Sequence, residues 1–546
     1  VRKTNKLLLL TSMAILPCAA WADAQICDRP SAGATVSPPP DLYSANGKLD
    51  LAFNYVTSVD AENRTLFCFV TPDGLESPTL HVKPGDMLNI ELTNTLPKSK
   101  AEDLEPMAED SQACDGTKMT GNDVNMHFHG LNIAPTCHSD EVVHTLVNGG
   151  HKFSYHIQIP SDEPPGMYWY HPHVHGVAGP TVLGGASGAI EVEGIENQQP
   201  AVANLPSRIL IVRDPIIPAD AARGQSARSP TKGKVPFWDI SLNYVPVEYP
   251  ANKPGVLMMT PGQKEFWRVV NASADTIADL VVKYDGVTQP LQMVALDGVV
   301  NGSQDGTRRG KLFPATDAFI PMAGRAEFIV PALPANVKHA TIETLRIDTG
   351  PAGDVDTHRV LAVIKPATQA AAGLPVMPMP SAAPGPQRFE GLDTAKVTAH
   401  RKLYFYEIFP DPMDPDDGLF YVVVDGQTPQ LYDPSAPPAI TTTQGAVEDW
   451  TIENHTKEVH EFHIHQIHFQ VRAIDRVQLP PNKREFRDTF QVPYWTGHGH
   501  YPSVTLRMDF RGATVGDFVY HCHILDHEDL GMMAIIRVNA AAKASP

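Results

Sequence analysis

Gly516-Asp-Phe-Val-Tyr-His521-Cys522-His523 and Gly166-Met-Tyr-Trp-Tyr-His171-Pro-His173 read as one pattern, G-x-aromatic-x-Tyr-His-x-His, written twice in the chain. Successive side chains of a strand point to opposite faces, so each His-x-His aims two imidazoles at the same place. Period-two alternation recurs elsewhere, in Phe153, Tyr155, Ile157 and Ile159 and in Leu506, Met508 and Phe510. Breaks of Gly, Pro and Asp separate these runs, and no long 3.6-residue period intervenes. The sequence therefore predicts an all-β chain of antiparallel sandwiches.

A second pattern sets the number of units. Gly85-Asp-Met-Leu-Asn-Ile-Glu-Leu-Thr-Asn94, Gly262-Gln-Lys-Glu-Phe-Trp-Arg-Val-Val-Asn271 and Gly445-Ala-Val-Glu-Asp-Trp-Thr-Ile-Glu-Asn454 each give a turn glycine, a strand and a closing Asn. Domain-sized spacing indicates triplication of one β domain, not a solenoid. A chain of 546 residues, with 50 Pro and 39 Gly, fits three such domains better than one core. The expected boundaries are 23–197, 198–365 and 389–546, with the Ala/Pro-rich stretch 366–388 as an extended linker that contains Met377 and Met379. Residues 344–364 read as the second domain's counterpart of the His-x-His strand, without histidine, so that domain reads as a spacer.

Residues 1–22 read as an export signal: a basic start, the apolar run Leu7–Ala20, and Ala20-Trp21-Ala22 for cleavage. Arg2-Lys3 leaves the export route open, and Cys18 leaves with the signal. The expected location is periplasmic or secreted, with no membrane span in the mature chain. Cys27, Cys68, Cys114 and Cys137 can form two disulfides in an oxidising compartment, in any of three pairings. A formal charge of −19 argues against nucleic acid or an anionic membrane as partner. The basic run Arg223 to Lys234 reads as a solvated loop.

Cys522 is the odd cysteine, and it stands among histidines. The clusters are His127-Phe-His129, His171-Pro-His173, His460-Glu-Phe-His463-Ile-His465 and His521-Cys-His523-Ile-Leu-Asp-His527. Parity sends His521 and His523 one way and Cys522 the other. His463 and His465 share a face, while His460, three residues away, tends to the opposite one. His460, Cys522 and His527, with Met532 beyond them, thus make the two-imidazole, one-thiolate, one-thioether set of a blue copper centre. Met532 has a core reading too, as does Met533. His138, His144, His151, His156, His175, His468, His498 and His500 read as structural or solvated, although His175 and His468 continue a His-x-His rhythm.

With HFHG, YWYHPHVHG, HEFHIHQIHF and HCHILDHEDLGMM in this order, the chain resembles the multicopper oxidases, a family that includes laccases and bacterial copper-efflux oxidases. The resemblance spans nearly the whole mature chain and implies three cupredoxin-like Greek-key β-sandwiches holding four copper ions. By motif position it puts His127 and His463 on the type 2 copper. One type 3 copper takes His129, His171 and His523, and the other takes His173, His465 and His521. The implied reaction couples one-electron oxidation of a small donor to reduction of O2 to water. Glu528 and Asp140, with Glu141 as fallback, are the expected proton carriers. Glu461 and Gln466 depart from a common Pro and Gly of the family. Phenolic donors lead, because the third domain has no dense Met segment. Oxidation of Cu(I) or another metal ion is the alternative, and a copper-binding scaffold without turnover is a third reading.

Overall fold

The repeated pattern forms the strands Met87–Asn94, Glu265–Asn271 and Val447–Asn454 of a computed structural model. It describes residues 27–98, 113–114, 119–217, 236, 238–302, 311–367, 374–381, 388–410 and 418–542. The export signal, the run Arg223 to Lys234 and parts of the linker lie outside these residues. Each repeat strand follows its glycine in the left-handed region, at φ 90°, 76° and 95°. Each pairs in parallel with an earlier strand (Lys48–Val59, Ser207–Arg213, Ala399–Ile408) and antiparallel with a later one (Lys152–Gln158, Arg325–Val330, Ser503–Asp509).

The closing Asn does the same work three times. Asn94 Nδ2 donates to the carbonyls of Asn122 and Val147, at 2.7 and 2.8 Å. Asn271 donates to Thr276, Ile320 and Pro321, and Asn454 to Glu458 and Val492. Each Oδ1 accepts the N–H two residues on, from Leu96, Ser273 and Thr456. A fully buried amide thus satisfies loop carbonyls that water cannot reach. The second and third copies share a further device: Trp267 and Trp450 Nε1 each donate 2.8 Å to the Glu two residues back, which pairs with Arg208 or Arg401.

A second sheet closes each unit. Gly166–His171 lies between His127–His129 and Gly188–Val192. Gly516–Cys522 lies between His460–Ile464 and Met533–Asn539. The second unit's equivalent is Ala340–Thr344, between Ala278–Tyr284 and Arg359–Pro366. This corrects the reading of 344–364, most of which is connecting chain and the neighbouring strand. Three large apolar cores fill the three sandwiches of this all-β, multi-domain fold.

The sandwiches meet closely. A side chain on Gly166 would collide with the Gly298 backbone at 2.5 Å, so the first two units touch main chain to main chain. The first and last are tied by Asp529, which accepts the N–H groups of Gly176, Ala178 and Gly179. The linker is anchored at Met377, which is buried and hydrogen-bonded to Leu205, while its neighbours Val376 and Met379 are exposed. The disulfides are Cys27–Cys68 and Cys114–Cys137. Among the described residues no helix is long and apolar enough to cross a membrane.

Replacing Asn271 by Ala removes the buried amide that donates to the carbonyls of Thr276, Ile320 and Pro321, of which Pro321 keeps the N–H of Gly324. The expected loss is about 2–4 kcal/mol, read as a fall in the denaturant midpoint; an unchanged midpoint would contradict the shared role of the closing Asn.

Candidate metal centre

Two antiparallel ladders face each other. In one, His127 is opposite His171; in the other, His463 is opposite His521 and Phe462 is opposite Cys522. The period-two rule therefore puts both members of each His-x-His on one face. Between the ladders the Nε2 atoms of His173, His465 and His521 lie 3.1–3.3 Å apart. His127 stacks on His465 at 3.8 Å and His129 on His463 at 3.9 Å. His523 completes the set, its ring 5.1 Å from His129 and 5.6 Å from His171. All eight imidazoles are at most 1% exposed.

On the other face of the last ladder, Cys522 Sγ lies 3.5 Å from His460 Nδ1 and 3.9 Å from His527 Nδ1, and the two nitrogens are 3.2 Å apart. Met532 is buried in the same core; its carbonyl accepts from Cys522 N and its N–H donates to the His527 carbonyl. Phe420 stacks on His527 at 4.3 Å. Burial pushes the Cys522 thiol up and holds His460 down at about 3. Burial likewise lowers His127, His129, His171, His173, His463, His465, His523 and His527, so these imidazoles are neutral, the form that offers a lone pair.

The hydrogen bonds fix where those lone pairs point. Carbonyls of Pro172, Asp488 and Cys522 hold the Nδ1 protons of His171, His463 and His521. Nε2 of His127, His171 and His463, Nδ1 of His129 and both nitrogens of His523 have no protein partner. Thr456 Oγ1 and Glu407 each lie 2.9 Å from His460 Nε2, leaving Nδ1 to face Cys522. Buried lone pairs crowded together are unfavourable unless a cation takes them. Nitrogen in one group and nitrogen with thiolate in the other suit copper. The donor set therefore fits the metal that the motifs imply.

Carboxylates back the rings. Asp140 lies 3.0 Å from His127 Nδ1 and accepts from Phe128 N and Gln466 Nε2; burial raises it to about 7. Glu141 instead caps Val143, His144 and Thr145 and meets no cluster ring in these contacts. Glu528 lies 3.1 Å from His521 Nδ1 and 3.6 Å from His173 Nδ1. Burial works to raise Glu528, and its contacts with the His521 and His173 rings work against that. Gln466, at φ 64°, occupies a left-handed position that suits glycine and uses its amide to hold Asp140.

Asp488 and Arg325 also border the cluster, and sequence reasoning missed both. Neither lies in a histidine motif, and Arg325 comes from the second sandwich. His468 packs behind Asp488, 2.8 Å from the Asp297 carbonyl, and His175 meets Tyr432 edge-on. His138 stacks on Phe153, and His144, His156 and His500 meet Glu141, Asn89 and Asp475.

Comparison with known proteins follows the same lines. Residues 117–197 and 411–542 match two family models described as multicopper oxidase. No curated protein sequence matches. Among solved structures, a variant of the McoA multicopper oxidase of Aquifex aeolicus is 18% identical with TM-score 0.67, over 93% of this chain and 100% of that one. A Campylobacter jejuni multicopper oxidase described as a metallo-oxidase is 20% identical with TM-score 0.64, over 94% and 96%. A laccase-like CueO of Ochrobactrum sp. is 18% identical with TM-score 0.63, over 92% and 100%.

Cys522 is the free cysteine among the described residues, and it is buried. Iodoacetamide should leave it unlabelled in the native metal-free chain and label it after unfolding without reductant. Mass spectrometry of the Cys522 peptide reads the result, and rapid native labelling would contradict its enclosure.

Proposed function

The chain belongs to the multicopper oxidase family, copper-dependent oxidoreductases that use O2, and from that premise we propose a four-copper oxidase of small phenolic or other aromatic donors. His460, Cys522 and His527, together with Met532, would hold the type 1 copper. His127 and His463 would hold type 2. His129, His171 and His523 would hold one type 3 ion, and His173, His465 and His521 the other. The convergence of eight buried imidazoles beside a separate cysteine with two further imidazoles carries this reading. When bound, copper supplies the one-electron steps that join donor oxidation to O2 reduction.

The chain's own residues supply the rest. Cys522 is joined through one peptide unit to each of His521 and His523, so covalent main chain links the thiolate to the imidazole cluster. Glu528 and Asp140 sit against different rings, where a buried carboxylate can deliver protons to the reduced oxygen. Burial of the imidazoles keeps bulk water from the reacting space. The three cupredoxin-like units over 23–197, 198–365 and 389–546, joined by 366–388, are supported by three separate cores. Two disulfides support export after removal of residues 1–22, to the periplasm or the medium.

Oxidation of a metal ion is the second reading, and the rim favours it. Beside Glu407 at His460, Glu458 lies 3.5 Å from His527 Nε2. Two carboxylates at the outer edges of the thiolate site suit a cationic donor.

O2 uptake by the copper-loaded chain, with phenols in one series and Cu(I), Fe(II) or Mn(II) in another, separates the two readings. Absence of uptake with all of them would leave only a scaffold. Cys522→Ser should abolish the blue colour and turnover together; retained turnover would refute the thiolate route. Glu528→Gln should keep the colour and slow O2 reduction by about 10²–10⁴-fold, measured by stopped-flow reoxidation.

A further inference from the structure

We propose that Arg325 of the second sandwich, acting through Asp488 of the third, is a positioning residue that sets which ring nitrogens His129 and His463 turn toward the copper cluster. The proposal rests on the copper reading above. Arg325 and Asp488 are both fully buried. Arg325 Nη1 donates to Asp488 Oδ1 at 2.7 Å, and Nη2 donates to Oδ2 in a short parallel bond. Nε of the same guanidinium donates to the Met167 carbonyl of the first sandwich at 3.1 Å. One side chain thus touches all three units, and its planar fork fixes the plane of the carboxylate.

Asp488 passes that orientation to two histidines. Its Oδ1 lies 3.3 Å from His129 Nε2, and its main-chain oxygen lies 2.9 Å from His463 Nδ1. An ionised carboxylate only accepts, so His129 keeps its proton on Nε2 and its lone pair on Nδ1. The carbonyl does the reverse for His463, leaving the lone pair on Nε2. Those two nitrogens, His129 Nδ1 and His463 Nε2, are the ones without a protein partner. The stacked rings therefore present opposite nitrogens to one space; Asp488 faces both protonated nitrogens, and the Thr489 hydroxyl, which donates to Asp488 Oδ1 at 3.1 Å, lies 3.4 and 3.2 Å from the same two.

Gly130, the glycine of HFHG, makes room for this pair. A Cβ there would fall 2.3 Å from Arg325 Nη2 and 2.6 Å from Asp488 Oδ2. Its φ of +87° also disfavours any other residue. The motif glycine is thus the gap through which a cation of the second sandwich reaches a carboxylate beside the first sandwich's histidine.

Asp488→Asn replaces an acceptor with a group that can donate to His129 Nε2, which moves the imidazole proton to Nδ1 and blocks the lone pair. Arg325→Lys keeps the charge but loses the fork. Both variants are compared with Arg208→Lys, which disturbs the buried Arg208–Glu265 pair away from the histidines. Copper stoichiometry, chelator competition and electron paramagnetic resonance are measured on each. Both test variants should lose copper from the cluster with affinity reduced about 10–100-fold, while the blue thiolate centre stays; the Arg208 variant should lose stability alone. Cluster copper held at wild-type affinity in either folded test variant, or lost equally in the Arg208 variant, would overturn the proposal. Diffraction from the copper-loaded unmodified chain decides it independently of folding: His129 bound through Nδ1 and His463 through Nε2 supports it, and the opposite nitrogens sink it. A wild-type chain that takes up no copper and shows no blue colour would instead refute the oxidase reading itself.

Discussion

Eight imidazoles share a space closed to water, and nearly all of them are neutral there. A neutral imidazole has one proton and one lone pair, so the orientation of each ring is decided by whatever holds its proton. Main-chain carbonyls do this for His171, His463 and His521, and carboxylates do it for His127 and His129. The remaining lone pairs point inward and repel one another. Most of what surrounds the cluster answers this constraint: two ladders that deliver the rings in register, close main-chain contact at Gly166 and Gly298, and Asp529 clamping the first sandwich to the last.

The same ladders explain why two sites with different chemistry stand so close. A strand has two faces, and Gly516–Cys522 uses both. Its histidines belong to the nitrogen cluster, while Cys522 between them turns to His460 and His527. Nothing but the pleat separates the sites, so a covalent path between them comes with the geometry. The soft thiolate is kept on the face where Phe420 and the third core limit water, and the hard carboxylates Asp140 and Glu528 are kept on the other.

Much of this was legible in the sequence because it is periodic. Parity alone separated Cys522 from His521 and His523, and it sent His460 away from His463. The closing Asn was visible as a mark at positions 94, 271 and 454, although its task of pinning loop carbonyls was not. Asp140 could be named and Glu141 could not be excluded, since a one-residue difference in a loop carries no period. The second unit's equivalent strand was misplaced because Ala340–Thr344 has neither histidine nor aromatic signal. The disulfide pairing was open for the same reason: spacing along a chain does not say which loops lie together. Asp488 and Arg325, 163 residues apart in sequence, leave no pattern at all.

That last pair bears on why a three-unit chain keeps a middle sandwich without histidines. A guanidinium and a carboxylate taken fully out of water lose hydration that is recovered only if both remain together. Removing one partner of such a pair typically costs about 3–5 kcal/mol, because the other is stranded. Arg325 and Asp488 are therefore bound to be retained jointly or lost jointly. As Asp488 also orients two rings of the cluster, the second sandwich is coupled to the metal centre by the same interaction that fastens it to its neighbours. A spacer would need only a surface of the right shape, whereas this unit contributes a charge that the cluster's own geometry is built around.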